Sequence, residues 1–455
     1  MTGEPNHRLA SLMAEAAMSN KGLAKRVQAV ARRHSASVGT THVAVQRWLN
    51  GGGIQPRTAI FLAEALSEKL RRRITPADLG FPAVPSPAPS AGAAYASSVP
   101  EALGVLDGLT KVDPEDAGDD LLPEGEVDTA VLSWLISRPD GLTSEQSTGR
   151  RVGMRDVTAV RTAAEMFMYL DFRFGGGHGH RALRHYFREE VLPLLKADYS
   201  RRVGTALFGA AAEISQLLGW TAYDTGNHSL ADRYLTGTLR LTQVIDDRMM
   251  GARVLANMSH QANYLSQGRR AVRLARASVE GGRQRSTPRA MALFAAHEAR
   301  ALATTGDLAG AGRAMNEAER YFAQADTGED PDWLAYMDEA ELAGEFCHCF
   351  RDLKRGRDAV RFAERAVALT DPKYARTLGF CRLVLAQSHL LNGELETALS
   401  VALLAIEAGD ALQSSRFQRY VTDFRRDVSV HAGNPAVRDF NERVRRALAE
   451  INDDE

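Results

Sequence analysis

Three cysteines in 455 residues are too few for a disulfide framework, and they point to a reducing, cytoplasmic setting. No uninterrupted apolar run approaches the ~20 residues that a membrane span needs. The opening MTGEPNHRLASLMAE has no basic start followed by a long apolar stretch, so neither a membrane partner nor a secretory leader is expected. Aromatics make up only 7% of the chain and strand-like alternation is scarce, whereas alanine and leucine dominate; the expected class is all-α. Catalytic signatures are missing too. No G-x-S-x-G, H-E-x-x-H, phosphate-binding loop or paired zinc-ligand spacing occurs, so no enzymatic activity, cofactor or metal is expected.

Net charge is also nearly absent, at −1, but this hides an asymmetry. Residues 1–80 hold 12 Lys+Arg and 5 Asp+Glu; residues 101–128 hold 10 acidic residues and one lysine. A basic N-terminal module beside an acidic segment suits a polyanionic partner, bound in a salt-dependent way.

The basic module has helical punctuation. A first helix is expected within Met1–Ala17, burying Leu9, Leu12, Met13 and Ala16. Ser19 can cap a second that begins near Asn20 and buries Leu23, Ala24, Val27, Val30 and Ala31. Thr40 or Thr41 caps a short helix with Val45, Trp48 and Leu49 inward, ended by Gly51, Gly52 and Gly53. A further helix after Pro56 carries Ile60, Ala63, Ala65 and Leu66, and Ile74, Leu79 and Phe81 close the module. Two helices and a turn, braced by a packing helix, form a unit that lays its second helix in the major groove of double-stranded DNA. The outward residues of that helix, Thr41, His42, Val43, Gln46 and Arg47, are candidates for base contacts: Arg reads guanine, Gln reads adenine, and Thr or Val touches the thymine methyl. Asn20, Lys21, Arg26, Arg32, Arg33 and Arg57 are candidates for phosphate contacts.

The run SNKGLAKRV…GTTHVAVQRWLNGGGIQPRTAIFLAEAL resembles the Cro/C1-type helix-turn-helix, keeping Leu23-Ala24, Val45-x-x-Trp48, Gly51 and Pro56. That resemblance implies a phosphate-binding role for Asn20. The link VQAVARRHSASVGTT is longer than usual for the family.

Residues 82–100, uncharged and rich in Pro, Ala and Ser, read as a linker. With the acidic stretch up to residue 128, a marginal helix plus loop, they separate a DNA-binding domain (1–81) from a helical domain (129–455). The acidic stretch is a solvated connector; its other reading is a mimic of DNA charge that covers the basic face.

Downstream a frame recurs: a small residue, a turn residue seven positions on, and an alanine five further. It runs Gly219-Gly226-Ala231, Ser259-Ser266-Ala271, Ala299-Gly306-Ala311, Cys347-Lys354-Ala359 and Ala386-Gly393-Ala398. This resembles the tetratricopeptide repeat, a pair of closely packed helices, although the period exceeds the usual ~34 residues. The resemblance implies an α-solenoid, since each pair buries its apolar face only against its neighbours. A sixth, divergent unit is expected at Asp156–Leu195 and a capping region at Asp423–Ile451. By the repeat frame, the concave side carries Trp220, Tyr223, His260, Asn263, Arg300, His348, Arg351 and Gln387, with Gln216 from the preceding turn. Such residues suit a peptide or an anionic small molecule as effector.

Leu170–Phe187, LDFRFGGGHGHRALRHYF, reads as a turn between helices with glycines for tight packing; His178, His180 and His185 lack the partners of a metal site. Cys347, Cys349 and Cys381 read as buried structural thiols. As a whole the chain is similar to actinobacterial regulators that join a Cro/C1-like domain to tetratricopeptide-like repeats, among them negative regulators of sporulation and antibiotic production in Streptomyces. The resemblance implies a homodimeric transcriptional regulator, a repressor, whose helical-repeat domain senses an effector or protein partner. The alternative is an interaction scaffold that no longer binds DNA.

Overall fold

The computed structural model describes residues 5–16, 18–33, 38, 40–54, 56–70, 72, 74–76, 78–81, 95–112, 121–142, 151–409 and 412–453, with only the backbone of residues 32, 33, 56, 57, 68, 327 and 446–453. Among these residues the chain is helical throughout, with one isolated bridge between Arg151 and Asp198 in place of any sheet. It divides into two compact units: residues 1–90 with 112–118, and residues 91–111 with 119–455.

The first unit holds α1 (His7–Glu15), α2 (Asn20–Arg33), α3 (His42–Leu49) and α4 (Pro56–Leu70). Their apolar faces meet in one core: Leu9 and Leu12, Leu23 and Val27, Val45 and Trp48, Phe61, Leu62 and Leu66, closed by Ile74, Leu79 and Phe81. Ile60 is not part of it. It is 41% exposed, whereas the expected Ala63, Ala65 and Leu66 are buried together with Phe61 and Leu62; Ile60, two places before Leu62, falls on the far side of the helix. Asn6 ties the core together. Its backbone N–H donates to the Leu49 carbonyl (2.8 Å), its amide donates to the Leu79 carbonyl (2.8 Å), and its Oδ1 caps α1.

The second unit is built on five helix pairs: α10 (Arg201–Asp224) with α11 (His228–Val244), α12 (Arg248–Tyr264) with α13 (Gly268–Gly282), α14 (Pro288–Thr304) with α15 (Leu308–Ala323), α16 (Glu339–Asp352) with α17 (Gly356–Leu369), and α18 (Ala375–Leu391) with α19 (Leu395–Ala408). The frame of small residues explains the pairing. Each of the five small residues and the five later alanines is buried. At Gly219 a Cβ would stand 2.8 Å from Leu235 of the partner helix, so only glycine lets these two helices approach. The intervening residues, Gly226, Ser266, Gly306, Lys354 and Gly393, all have φ between +59° and +87°, the left-handed turn joining the helices. Glycine adopts that conformation freely and Lys does not. Lys354→Gly should therefore raise stability by about 1 kcal/mol and Gly306→Ala lower it by a similar amount. Urea unfolding of the two variants checks this, and shifts of equal sign would contradict it.

Before the pairs stand α5 (Val99–Lys111), α6 (Glu124–Ile136), α7 (Met154–Phe174), α8 (Gly176–Tyr186) and, after a π-helical turn at Phe187–Val191, the short α9 (Leu192–Leu195). After them come α20 (Ser415–Val428) and α21 (Pro435–Asp453). Most of the Pro/Ala-rich stretch and residues 113–120 lie outside the described residues, but the remainder of the acidic stretch, α5 and the start of α6, is packed rather than a solvated connector. In α5, Leu103, Leu106 and Leu109 are buried, with Leu106 against Gly237 of α11. In α6, Trp134 is fully buried, so close to Gly251 and Gly281 that a Cβ at either would enter its ring, and its indole N–H donates to Thr242 Oγ1 at 3.1 Å. Two of the three acids of α6 are partnered within the same unit: Glu124 and Asp128 both face Arg273. A tally of charge hid this, because the apolar spacing in the segment is sparse while the glycines that receive it lie more than a hundred residues downstream.

The array closes on itself. Helix α7 packs against both α10 and α18, and the chain before α20 is tied to the α7–α8 corner: Gln413 N–H donates to the Phe174 carbonyl (2.9 Å) and Gly177 N–H to the Gln413 carbonyl (3.0 Å). Gly175 has φ +88° and, like Gly177, lies where a side chain would strike Gln413. The glycine run is thus the corner of a helix pair at the expected sixth unit. Nearby, His180 is buried against Thr221 Oγ1 (2.8 Å) and burial lowers it to about 4, while His178 stacks on Phe174.

Candidate functional site

In the first unit the site is the outer face of α3. Thr41 Oγ1 accepts from Ala44 N–H and so starts the helix at His42 (3.3 Å). Gln28 Nε2 donates to the Thr40 carbonyl (2.7 Å), anchoring the end of the long link to α2. Val45 and Trp48 hold one face in the core, and Gly51, at φ +81°, ends the helix. Thr41, His42, Val43, Gln46 and Arg47 are all exposed, Val43 at 63% despite its apolar side chain. Gln46 is held in a chain of amides: Asn20 Nδ2 donates to its Oε1 (2.9 Å) and its Nε2 donates to Asn50 Oδ1 (3.2 Å). Asn20 is half-buried by this contact, while Lys21 and Arg26 are exposed beside it, with Lys25 as a further cation. The side chains of Arg32, Arg33 and Arg57 lie outside the described residues. Asn50 was not among the expected residues; its place one turn after Gln46 was the available signal.

Residues 9–82 match the family described as the SP15 N-terminal domain. The match runs from within α1 through α4 and the closure, the part of the unit that carries this face. None of the curated proteins compared with the chain matches it.

In the second unit the inner faces of α7, α10, α12, α14, α16 and α18 surround a cavity of about 120 Å³, with α20 against them. Gln216, Trp220, His260, Arg300 and His348 line it. Asn263, Arg351 and Gln387 line instead an adjacent polar cleft of about 320 Å³, and Arg300 and Tyr420 border both. Tyr223 lines neither. It is 1% exposed and stands behind His260, which it meets through its hydroxyl (3.0 Å to Nδ1).

Hydrogen bonding assigns the His260 tautomer. Arg300 Nη1 lies 3.0 Å from Nε2, and a guanidinium only donates, so Nε2 accepts and the ring proton sits on Nδ1, facing Tyr223. Burial and the Arg300 charge hold His260 well below the ordinary imidazole value, so it stays neutral. Arg300 also donates to both Glu345 oxygens (3.1 and 3.2 Å). Burial pushes Glu345 up, yet this guanidinium prevails and holds it below the usual carboxylate range.

Opposite lies a second ionic cluster. Arg376 donates to Asp171 (2.6 Å) and Asp224 (3.0 Å), and Arg416 reaches Asp224 at 3.4 Å. Asp224 Oδ2 also accepts from Gly176 N–H (2.9 Å). Arg416 is caged by the rings of Trp220, Tyr223 and Phe380 at 4.6 to 5.1 Å. Asp171, Arg376 and Arg416 escaped the sequence reading because none sits at a marked position of the repeat frame.

Glu341, one turn before Glu345, lines the cavity with no cation in ion-pair reach among the described residues. Burial and then Glu345 and Asp338 raise it to about 8, against the weaker pull of Arg300 and Arg376; the Tyr336 phenol is the other titratable group beside it. An acid whose folded value is raised destabilises the fold once ionised. Stability should therefore fall as pH rises from the unfolded value, ~4.3, through the folded value of about 8, and level off above it. Glu341→Gln should melt higher than the parent at about pH 9 and near it at about pH 5. Parallel melting curves at both pH values would exclude this carboxyl as the source.

The three cysteines are free and buried, and burial raises Cys347 to about 12, so none is poised as a thiolate. No helix among the described residues is long and apolar enough to cross a membrane.

Proposed function

We propose that the chain is a sequence-specific DNA-binding transcriptional regulator whose helical second unit receives an effector. The observation that carries this reading is the outer face of α3: five exposed side chains of base-reading type on a short, capped helix, with Lys21 and Arg26 exposed alongside. A helix braced by Val45 and Trp48 and free on its opposite side is what entry into a major groove demands. Helices α2 and α3 then form the helix-turn-helix, and the five helix pairs form tetratricopeptide-like repeats. Two copies of the chain would contact two half-sites, and an effector in the second unit would change their spacing. A coupling of ~1–3 kcal/mol suffices to change operator occupancy several-fold to about a hundredfold. Repression is the sign of regulation this reading favours, by resemblance to the regulators of development and antibiotic production.

Selecting genomic fragments on the purified protein and sequencing them tests the proposal. A shared motif of two half-sites is expected, together with sedimentation as a dimer. Retention that is blind to sequence and erased by moderate salt would leave the interaction scaffold as the better reading.

A further inference from the structure

The cavity of the second unit is polar, buried and incompletely satisfied. Gln216 and Asn257 are 2% and 7% exposed, line the cavity, and make no side-chain hydrogen bond to any described residue. Arg253, one turn before Asn257 on α12, is 6% exposed and also lines it. Its guanidinium stacks on Trp333 at 4.4 Å and hydrogen-bonds the Tyr336 phenol, but it has no carboxylate in ion-pair reach among the described residues. Glu213, whose field reaches it, faces Arg161 at 3.8 Å. Burying polar groups without partners is costly, and burying an unpaired charge costs more. Two amides without partners and a guanidinium without a counter-charge converge on one void, which points to an anionic occupant that supplies acceptors.

Charge sets the class of that occupant. Four guanidiniums line the cavity, from Arg253, Arg300, Arg376 and Arg416; three carboxylates, Asp171, Asp224 and Glu345, are engaged by three of them. The one cation left over is Arg253. Glu341 also lines the cavity but makes no ion pair with Arg253, and burial beside Glu345 and Asp338 disfavours its charged form. Size sets the rest. About 120 Å³ holds on the order of ten water-sized groups, too few for a peptide of several residues. Met168, Phe172 and Trp220 supply apolar wall beside the polar group.

We propose that this cavity binds a small organic monocarboxylate, its carboxylate received by Arg253 with Gln216 and Asn257, and its apolar body against Met168, Phe172 and Trp220. This deepens the effector reading above and rests on it only for its regulatory meaning, since binding is measured without DNA.

Titration calorimetry of the full chain with benzoate, hexanoate and indole-3-acetate, each beside its neutral amide and its amine counterpart, tests it. At least one acid should bind about tenfold or more tighter than its amide, and the amines should not bind. Arg253→Gln should weaken that acid about tenfold or more, and Asn257→Leu should weaken it in the same direction. Should the Arg253 variant fail to fold, the Asn257 variant and the acid–amide contrast decide. Amides binding as well as acids, acids unaffected by both substitutions, or no acid binding at millimolar concentration would each overturn the assignment. Failure to select an operator would sink the DNA-binding reading alone.

Discussion

Replacing Gln46 and Arg47 together by alanine should lower affinity for the selected operator by about a hundredfold or more while leaving the melting temperature of the first unit unchanged. Each bidentate side-chain–base pair contributes about 1–3 kcal/mol of discrimination, and a tenfold change in affinity is about 1.4 kcal/mol, so two lost pairs per half-site reach this range. Stability should hold because both side chains are exposed and contribute nothing to the core of Val45, Trp48 and Leu62. The contrast with Lys21→Ala and Arg26→Ala is diagnostic. Those substitutions should weaken operator and scrambled duplex alike and reduce the salt slope by about one each. Fluorescence anisotropy on both duplexes at several salt concentrations separates the two behaviours. Retained preference for the operator in the double variant would remove α3 as the reading element. The amide chain from Asn20 through Gln46 to Asn50 adds a finer expectation: Asn20→Ala frees Gln46 and should loosen selectivity without abolishing it.

Arg376→Met should destabilise the second unit by about 3–5 kcal/mol, the usual cost of removing one partner from a buried ionic cluster. Arg376 is 4% exposed and bridges Asp171 of α7 to Asp224 of α10, themselves 3% and 0% exposed. Without it Asp171 would lose its ion pair and face Asp224, which keeps only the longer contact to Arg416 and the Gly176 N–H. Asp171 is already raised to about 6, by burial and by Asp224, while Arg376 pulls against both. In the variant that pull is gone and the value rises further. An acid with a raised folded value loses stability as pH rises through the window between its unfolded and folded values. The deficit of Arg376→Met should therefore shrink as pH is lowered from 7 towards about 5, where Asp171 takes up its proton. Urea denaturation across that range checks the sign. Adding Asp171→Asn should recover part of the loss, and strict additivity of the two substitutions would show that the groups do not interact.

The two sites were legible to different degrees. The outer face of α3 could be read from order along the chain, because its determinants are local: Thr41 as cap, Val45 and Trp48 one turn apart, Gly51 as stop. Ile60 was misplaced for the same reason in reverse: α4 has apolar residues on two sides, and only packing against α2 selects Phe61 and Leu62. The expected concave residues divide between the cavity and the cleft because those four places along share the helix face of those one place along but lie about a turn further down it, where the cleft begins; Gln387, one place along, also falls in the cleft. Arg253, Glu341 and Arg376 were invisible, since nothing in their immediate neighbourhood marks them as inward.

By itself the sequence determined the helices, their caps, the left-handed turns and the close approach within each pair, since all of these depend on residues within about one helix hairpin of each other. Tertiary structure alone decided that the array closes into a cavity rather than remaining an open groove. That closure brings Arg376 to Asp171 across 205 residues and to Asp224 across 152, and the same long reach lets Trp134 find the gap at Gly251 and Gly281. No short-range spacing encodes such meetings; they follow from the accumulated angle of five stacked helix pairs, which brings distant residues together only once the whole turn is built.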